Sequence, residues 1–184
     1  MRLEVPRIPP LPESEWTEEV RAVLPSSAGG SARTLHIFTT LARHPALLKR
    51  WLVFGNHVLA HSTLPARERE LVILRTGWLC QSAYEFHQHT RIGQLCGLSS
   101  EEIEKVKGGA DAWTGRDAAL IRAADELHAD QMIGDATWQA LRADWSDQQI
   151  IDLLFAVGQY TLVCYTLKTV RVQLDDGVNG LPSI

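Results

Sequence analysis

From residue 33 onward, apolar side chains recur at intervals of three and four along most of the chain, and no segment shows the sustained alternation of a half-buried strand. The pattern predicts an all-α fold. Helices are expected over residues 14–24, 33–43, 45–60, 66–79, 82–96, 100–108, 115–131, 136–143 and 147–175. Several ends carry local signals: Pro65 sits where a first helical turn tolerates proline, Ser99 and Glu102 have capping-box spacing, and Gly97 stands just past a helix end. The small-residue stretch 26–32 reads as a linker. It divides the chain into a proline-rich arm with one short helix, residues 1–32, and a single helical domain, residues 33–184. In the last helix Ile150, Leu153, Leu154, Val157, Thr161 and Cys164 trace one stripe, while Phe155, Leu162 and Val163 occupy other faces. A helix apolar on so many sides is buried all round or meets another subunit, so a homo-oligomer is expected.

Composition narrows the function classes. With 184 residues, 45% hydrophobic and 22% charged, the chain has the makeup of one globular domain able to build its own core. A formal charge of -4 without a cluster of Lys and Arg argues against a nucleic-acid partner. The longest uncharged stretch, 153–167, is too short for a bilayer and is interrupted by Gly158, Gln159 and Tyr160, so no membrane span is expected. Pro6, Pro9, Pro10 and Pro12 occupy the N-terminal region in place of an apolar signal core, and a cytoplasmic protein is expected. The three cysteines, Cys80, Cys96 and Cys164, form neither a CxxC motif nor a zinc spacing. They read as free thiols, with Cys96 and Cys164 serving as small apolar fillers.

Candidate chemistry concentrates in residues 65–97, where ionisable side chains interrupt a strongly apolar helix pair. Glu85 and His89 are four apart and share a helix face, with Ser82 a turn earlier, and Glu70 on the preceding helix is within reach of the same place. A carboxylate beside an imidazole can exchange protons near neutral pH. Two plainer readings stand beside this one: Ser82 and Glu85 also fit a capping box, and Glu85 with His89 also fits an ordinary helix-face pair. His87 and His89 point to different sides of a helix and chelate poorly. His57 and His61 have metal-ligand spacing but no third ligand nearby, so no metal is assigned. Trp51, Phe54, Trp78, Tyr84 and Phe86 read as packing, with Tyr84 or Phe86 the candidates for a pocket wall.

The run REREL…W…YEFHQHTRIGQLCGL resembles the carboxymuconolactone decarboxylase and alkylhydroperoxidase D-like family, closely over about residues 45–108. In the peroxidase branch the pattern is a Glu, eleven residues, then Cys-x-x-Cys-x-x-x-His. Laid on this chain, the Glu falls on Glu70, the His on His89, and the two cysteines on Ser82 and Glu85. Tyr84 stands where peroxidase members commonly carry another His. Cys80 is two positions early, and on a helix its thiol would project about 200° around from Ser82. With both motif thiols lost, negligible dithiol-dependent peroxidase turnover is expected.

The resemblance implies the family's helical fold, a homotrimer or dimer of trimers, and a cofactor-free lyase or isomerase acting on a small carboxylated or lactone compound of aromatic catabolism. His89 would then be the acid or base, with Glu85 and Glu70 assisting and Ser82, Tyr84, His87 and Trp78 contacting the substrate. No cofactor is implied. Two other readings remain: a residual peroxiredoxin-type protein using Cys80, and a non-catalytic oligomeric binding protein whose Glu70, Glu85 and His89 form a buried network.

Overall fold

The computed structural model describes residues 5–24 and 35–175, and the predicted linker 26–32 lies outside them. Nine α-helices and no strand occur among the described residues. They are α1 (Glu18–Val23), α2 (His36–Leu41), α3 (Pro45–Asn56), α4 (Ala66–Leu79), α5 (Ala83–Leu95), α6 (Ser100–Lys105), α7 (Gly115–Asp130), α8 (Asp135–Asp144) and α9 (Asp147–Val170). The capping box at Ser99 forms as its spacing predicts, a second one forms at Ser146 with Gln149, and Gly97 closes α5 at a φ of 99°.

Three expected helices end differently. The first begins only after Thr17, whose hydroxyl accepts from Val20 N–H and caps α1, while Glu13–Glu15 form a separate 3-10 turn. The third widens into a π turn over His57–His61, where His57 reaches Asp152 at 3.7 Å. The last stops at Val170, and Arg171 adopts a left-handed φ of 58° that turns the chain back toward α2.

The centre of the molecule is α4. Leu71, Val72, Ile73 and Leu74 are four consecutive residues with no solvent exposure, so every face of this helix is covered. Its neighbours are α5, α7 and α9. Burial of that many apolar side chains is worth about 2 kcal/mol each before chain entropy is counted, which makes α4 the element the others organise around. Three of its charged residues, Arg69, Glu70 and Arg75, are nevertheless buried. Arg75 satisfies its guanidinium with Asp125 of α7 and with the carbonyls of Val106 and Lys107, tying α7 and the turn after α6 to the core. Glu70 has no exposure at all, and its partners define the site described below.

By length and composition α9 could cross a membrane, but half of its apolar window is buried within the protein, against α4 and α5. Its outer face carries Ile151, Phe155, Leu162 and Tyr165, each more than half exposed. With Gly158 these positions follow a four-three-four-three spacing, which is a continuous stripe on one side of a helix.

Candidate active site

Three side chains from two helices meet in the interior. His89 of α5 donates from Nδ1 to Glu70 Oε2 at 2.6 Å, and from Nε2 to Glu85 Oε1 at 3.0 Å. The ring is thus clamped between carboxylates of α4 and of its own helix. Gly93, one turn beyond His89, permits the close approach. A Cβ there would stand 3.1 Å from Leu98 Cδ1, 3.3 Å from Leu74 Cδ1 and 3.8 Å from Glu70 Cβ, so a larger residue would push α5 off α4 at the level of Glu70.

Electrostatics follow from this geometry. Burial opposes a charge on His89, but the Glu85 carboxylate and the hydrogen bond to Glu70 outweigh it, and the pKa rises from 6.5 to about 9. The imidazole is therefore doubly protonated at neutral pH, with both N–H groups engaged. Glu70 is balanced on its other oxygen by Arg69, whose Nε and Nη2 donate to Oε1 at 3.1 and 3.0 Å. Tyr160 of α9 stacks edge-on against the His89 ring at 4.7 Å, and burial raises its phenol well above the usual range.

A cavity of about 450 Å³ opens on one side of this cluster. Its walls are mainly apolar and aromatic, including Phe38, Trp51, Tyr84 and Tyr160, and both His89 and Glu85 reach it. Neither Glu70 nor any Lys or Arg is among its lining residues within the described chain. Gln159 also lines it, and its Oε1 is buried without a hydrogen-bond partner. Tyr84 is held at the wall by donating to Asp175 Oδ2 at 2.9 Å and accepting from the Ile37 N–H at 3.4 Å.

The other predicted contacts lie elsewhere. Trp78 packs edge-on against Phe86, 5.9 Å away, in the core beside Leu71 and Ile121. His87 sits at the half-exposed side of α5 near Arg91 and Asp175, where burial lowers its pKa. Ser82 is the N-cap of α5, but its hydroxyl makes no capping bond and is buried without a partner. The alternative capping box of Ser82 with Glu85 does not form, because the Glu85 carboxylate goes to the charged imidazole, a stronger partner than a backbone N–H. None of these three residues is among those lining the cavity described above. Sequence reasoning missed Arg69, Gln159 and Tyr160. The signal for the last two was present, since they are the polar interruption in the apolar run of the final helix.

The helical fold wrapped around this buried Glu–His–Glu cluster is similar to that of solved alkylhydroperoxidase D-like proteins. Two solved relatives show the fold: an alkylhydroperoxidase AhpD core, an uncharacterized peroxidase-related protein from Ralstonia eutropha JMP134, and the debrominase Bmp8 in complex with 2,3,4-tribromopyrrole. The first is 19% identical with a TM-score of 0.79, over 92% of this chain and 93% of that one. The second is 10% identical with a TM-score of 0.76, over 92% of this chain and 91% of that one. A putative antioxidant defence protein AhpD from Agrobacterium tumefaciens is also similar, at 22% identity and a TM-score of 0.67, over 73% of this chain and 94% of that one. Residues 45–129 match the model of the carboxymuconolactone decarboxylase family. No curated protein matches the sequence.

Proposed function

We propose that the protein is a cofactor-free acid/base enzyme, decarboxylase- or isomerase-like, acting on a small ring compound bound in the cavity. One observation carries this reading: His89 holds a proton between two carboxylates, of which Glu85 alone also faces the cavity. Both ring nitrogens are committed, so a proton leaves the imidazole through Glu85. Glu85 then gives or takes the proton at the substrate, His89 resupplies it, and the Arg69–Glu70 pair fixes the ring and balances its charge.

The cavity favours a largely apolar substrate. Its aromatic walls suit a ring, and the orphaned Gln159 Oε1 suits a hydroxyl or N–H on that ring. A substrate carboxylate would find only the His89 charge, which Glu70 and Glu85 already compensate. An uncharged lactone or cyclic ketone therefore fits better than a carboxylated one, which favours the isomerase over the decarboxylase of the two reactions. That Bmp8 was solved with 2,3,4-tribromopyrrole, itself a small ring, supports this size class. Turnover of a panel of small lactones and cyclic ketones by wild type and Glu85→Gln tests the reading: activity that survives this substitution unchanged would sink it.

We also infer a homo-oligomer of three or six chains. The stripe of Ile151, Phe155, Leu162 and Tyr165 supports it, because a soluble monomer seldom leaves so regular an apolar helix face in water.

A further inference from the structure

Tyr160 of α9 is a cavity residue that the proton relay leaves unused. Its ring meets the His89 imidazole edge-on at 4.7 Å, and Nε2 of that imidazole bonds Glu85 Oε1 at 3.0 Å. All three side chains line the cavity. Tyr160 is only 5% exposed, yet its hydroxyl makes no hydrogen bond among the described residues. A buried phenol ordinarily gives its proton to an acceptor. Tyr84, the other phenol on these walls, does so, donating to Asp175 Oδ2 at 2.9 Å. Burial and the Glu85 charge hold the Tyr160 phenol well above the usual range, so at neutral pH it keeps its proton and has it to donate.

That spare donor stands where a carbonyl would need one. A base that takes a proton from the carbon beside a carbonyl leaves negative charge on the carbonyl oxygen, and a donor already in place lowers the barrier. The other donors are spent or lie on another wall. Both His89 N–H groups go to carboxylates, and the Gln88 amide goes to Asp175. Trp51 and Asn56 belong to α3, and Gln159 holds Nε2 against that helix at Gly55, 3.6 Å from where a Cβ would stand. No Lys or Arg lines the cavity within the described chain, and none is required, because Glu85 loses its charge as the oxygen gains one.

We propose that Tyr160 is a further catalytic residue: its phenol donates to the carbonyl oxygen of a β,γ-unsaturated cyclic ketone or lactone, whose double bond the site moves into conjugation. This rests on the acid/base reading and gives it a substrate class. Glu85 removes the proton from the carbon between the carbonyl and the double bond. The C–H pair becomes a new C=C bond, the carbonyl π pair moves onto oxygen, and the Tyr160 hydrogen bond tightens around that charge. When the pair returns and the carbonyl re-forms, the γ-carbon takes the proton from Glu85 and the double bond comes to rest beside the carbonyl. Substrate and product are isomers, so no oxidant, reductant or co-reactant is required. Both are uncharged, as the apolar walls favour.

The test makes two measurements on the full chain. Conversion of cyclohex-3-enone to cyclohex-2-enone is followed by the ultraviolet absorbance of the conjugated product. Tyr160→Phe should lower kcat about 100-fold with little change in KM, the scale of a lost oxyanion donor. Infrared difference spectra of bound cyclohex-2-enone, labelled with carbon-13 at the carbonyl, should place the C=O band at lower frequency in the wild type than in Tyr160→Phe. That variant keeps the ring and its edge contact and should melt with the wild type. Equal bands, equal turnover, or a wild type that does not isomerise the enone overturns the proposal. A Tyr160 that only props the His89 ring predicts equal values, since phenylalanine props it as well. Glu85→Gln retaining turnover would sink the acid/base reading instead, and the carbonyl band, which needs no proton transfer, would still report the Tyr160 contact.

Discussion

His89 Nδ1 lies 2.6 Å from Glu70 Oε2 although the two residues are nineteen positions apart on different helices. Their contact makes the histidine, Glu70 and Glu85 one charged unit instead of three independent groups. Substitutions within such a unit should be strongly non-additive. His89→Gln and Glu70→Gln are each expected to lower turnover of a ring substrate about 100-fold, the scale of a lost general acid or base. The double variant should be barely worse than either. Kinetics of the three proteins beside thermal melts decide: early melting with full specific activity would mean that the cluster only holds the fold.

The same cluster should make stability depend on pH in a defined direction. The folded pKa of His89, about 9, is raised above its ordinary 6.5, so its contribution is complete below 6.5 and is lost as pH climbs through 9. Relative to His89→Gln, the wild type should lose on the order of 3 kcal/mol between pH of about 6 and pH of about 10. Urea titrations across that range measure it, and parallel curves for the two proteins would contradict it.

Asp175 is expected to act as a fastener of the cavity wall. Its carboxylate accepts from the Tyr84 hydroxyl at 2.9 Å and the His36 N–H at 2.7 Å, and from the Gln88 amide. Asp175→Ala leaves the buried phenol without its acceptor and should cost about 1 to 3 kcal/mol. Calorimetry should show the drop in Tm, and Tyr84→Phe, which removes the orphaned group as well, should cost less.

Assembly is open to a direct check. Sedimentation at micromolar concentration should show three or six chains, and Phe155→Lys with Leu162→Lys should yield smaller species by placing charge on the exposed stripe. A wild-type monomer would refute the oligomer.

Periodicity alone was enough for the all-helical class, because an amphipathic spacing of three and four is a local property. The ends that moved are those set by distant partners. The third helix widens where His57 meets Asp152, and the last turns at Arg171 so that Asp175 can reach Tyr84. The pairing of Glu85 with His89 was legible from their spacing, and Glu70 from the resemblance. Two features were not legible. Arg69 as the counter-ion of Glu70 was hidden in a run of charges that reads equally well as a solvated face. The docking of Lys168 of α9 on the Cys80 carbonyl at the end of α4 depends on how the two helices meet, which no spacing within either helix encodes.

The cavity is walled by Phe38 and Trp51 from the first third of the chain and by Gln159 and Tyr160 from near its end, and Asp175 pins the two together through His36 and Tyr84. During synthesis the early wall must therefore wait, its apolar face uncovered, until residue 175 has left the ribosome. The binding chamber is closed by residues made about a hundred positions after its first wall, so a chain stopped before Gln159 holds a cluster of greasy side chains and no finished pocket.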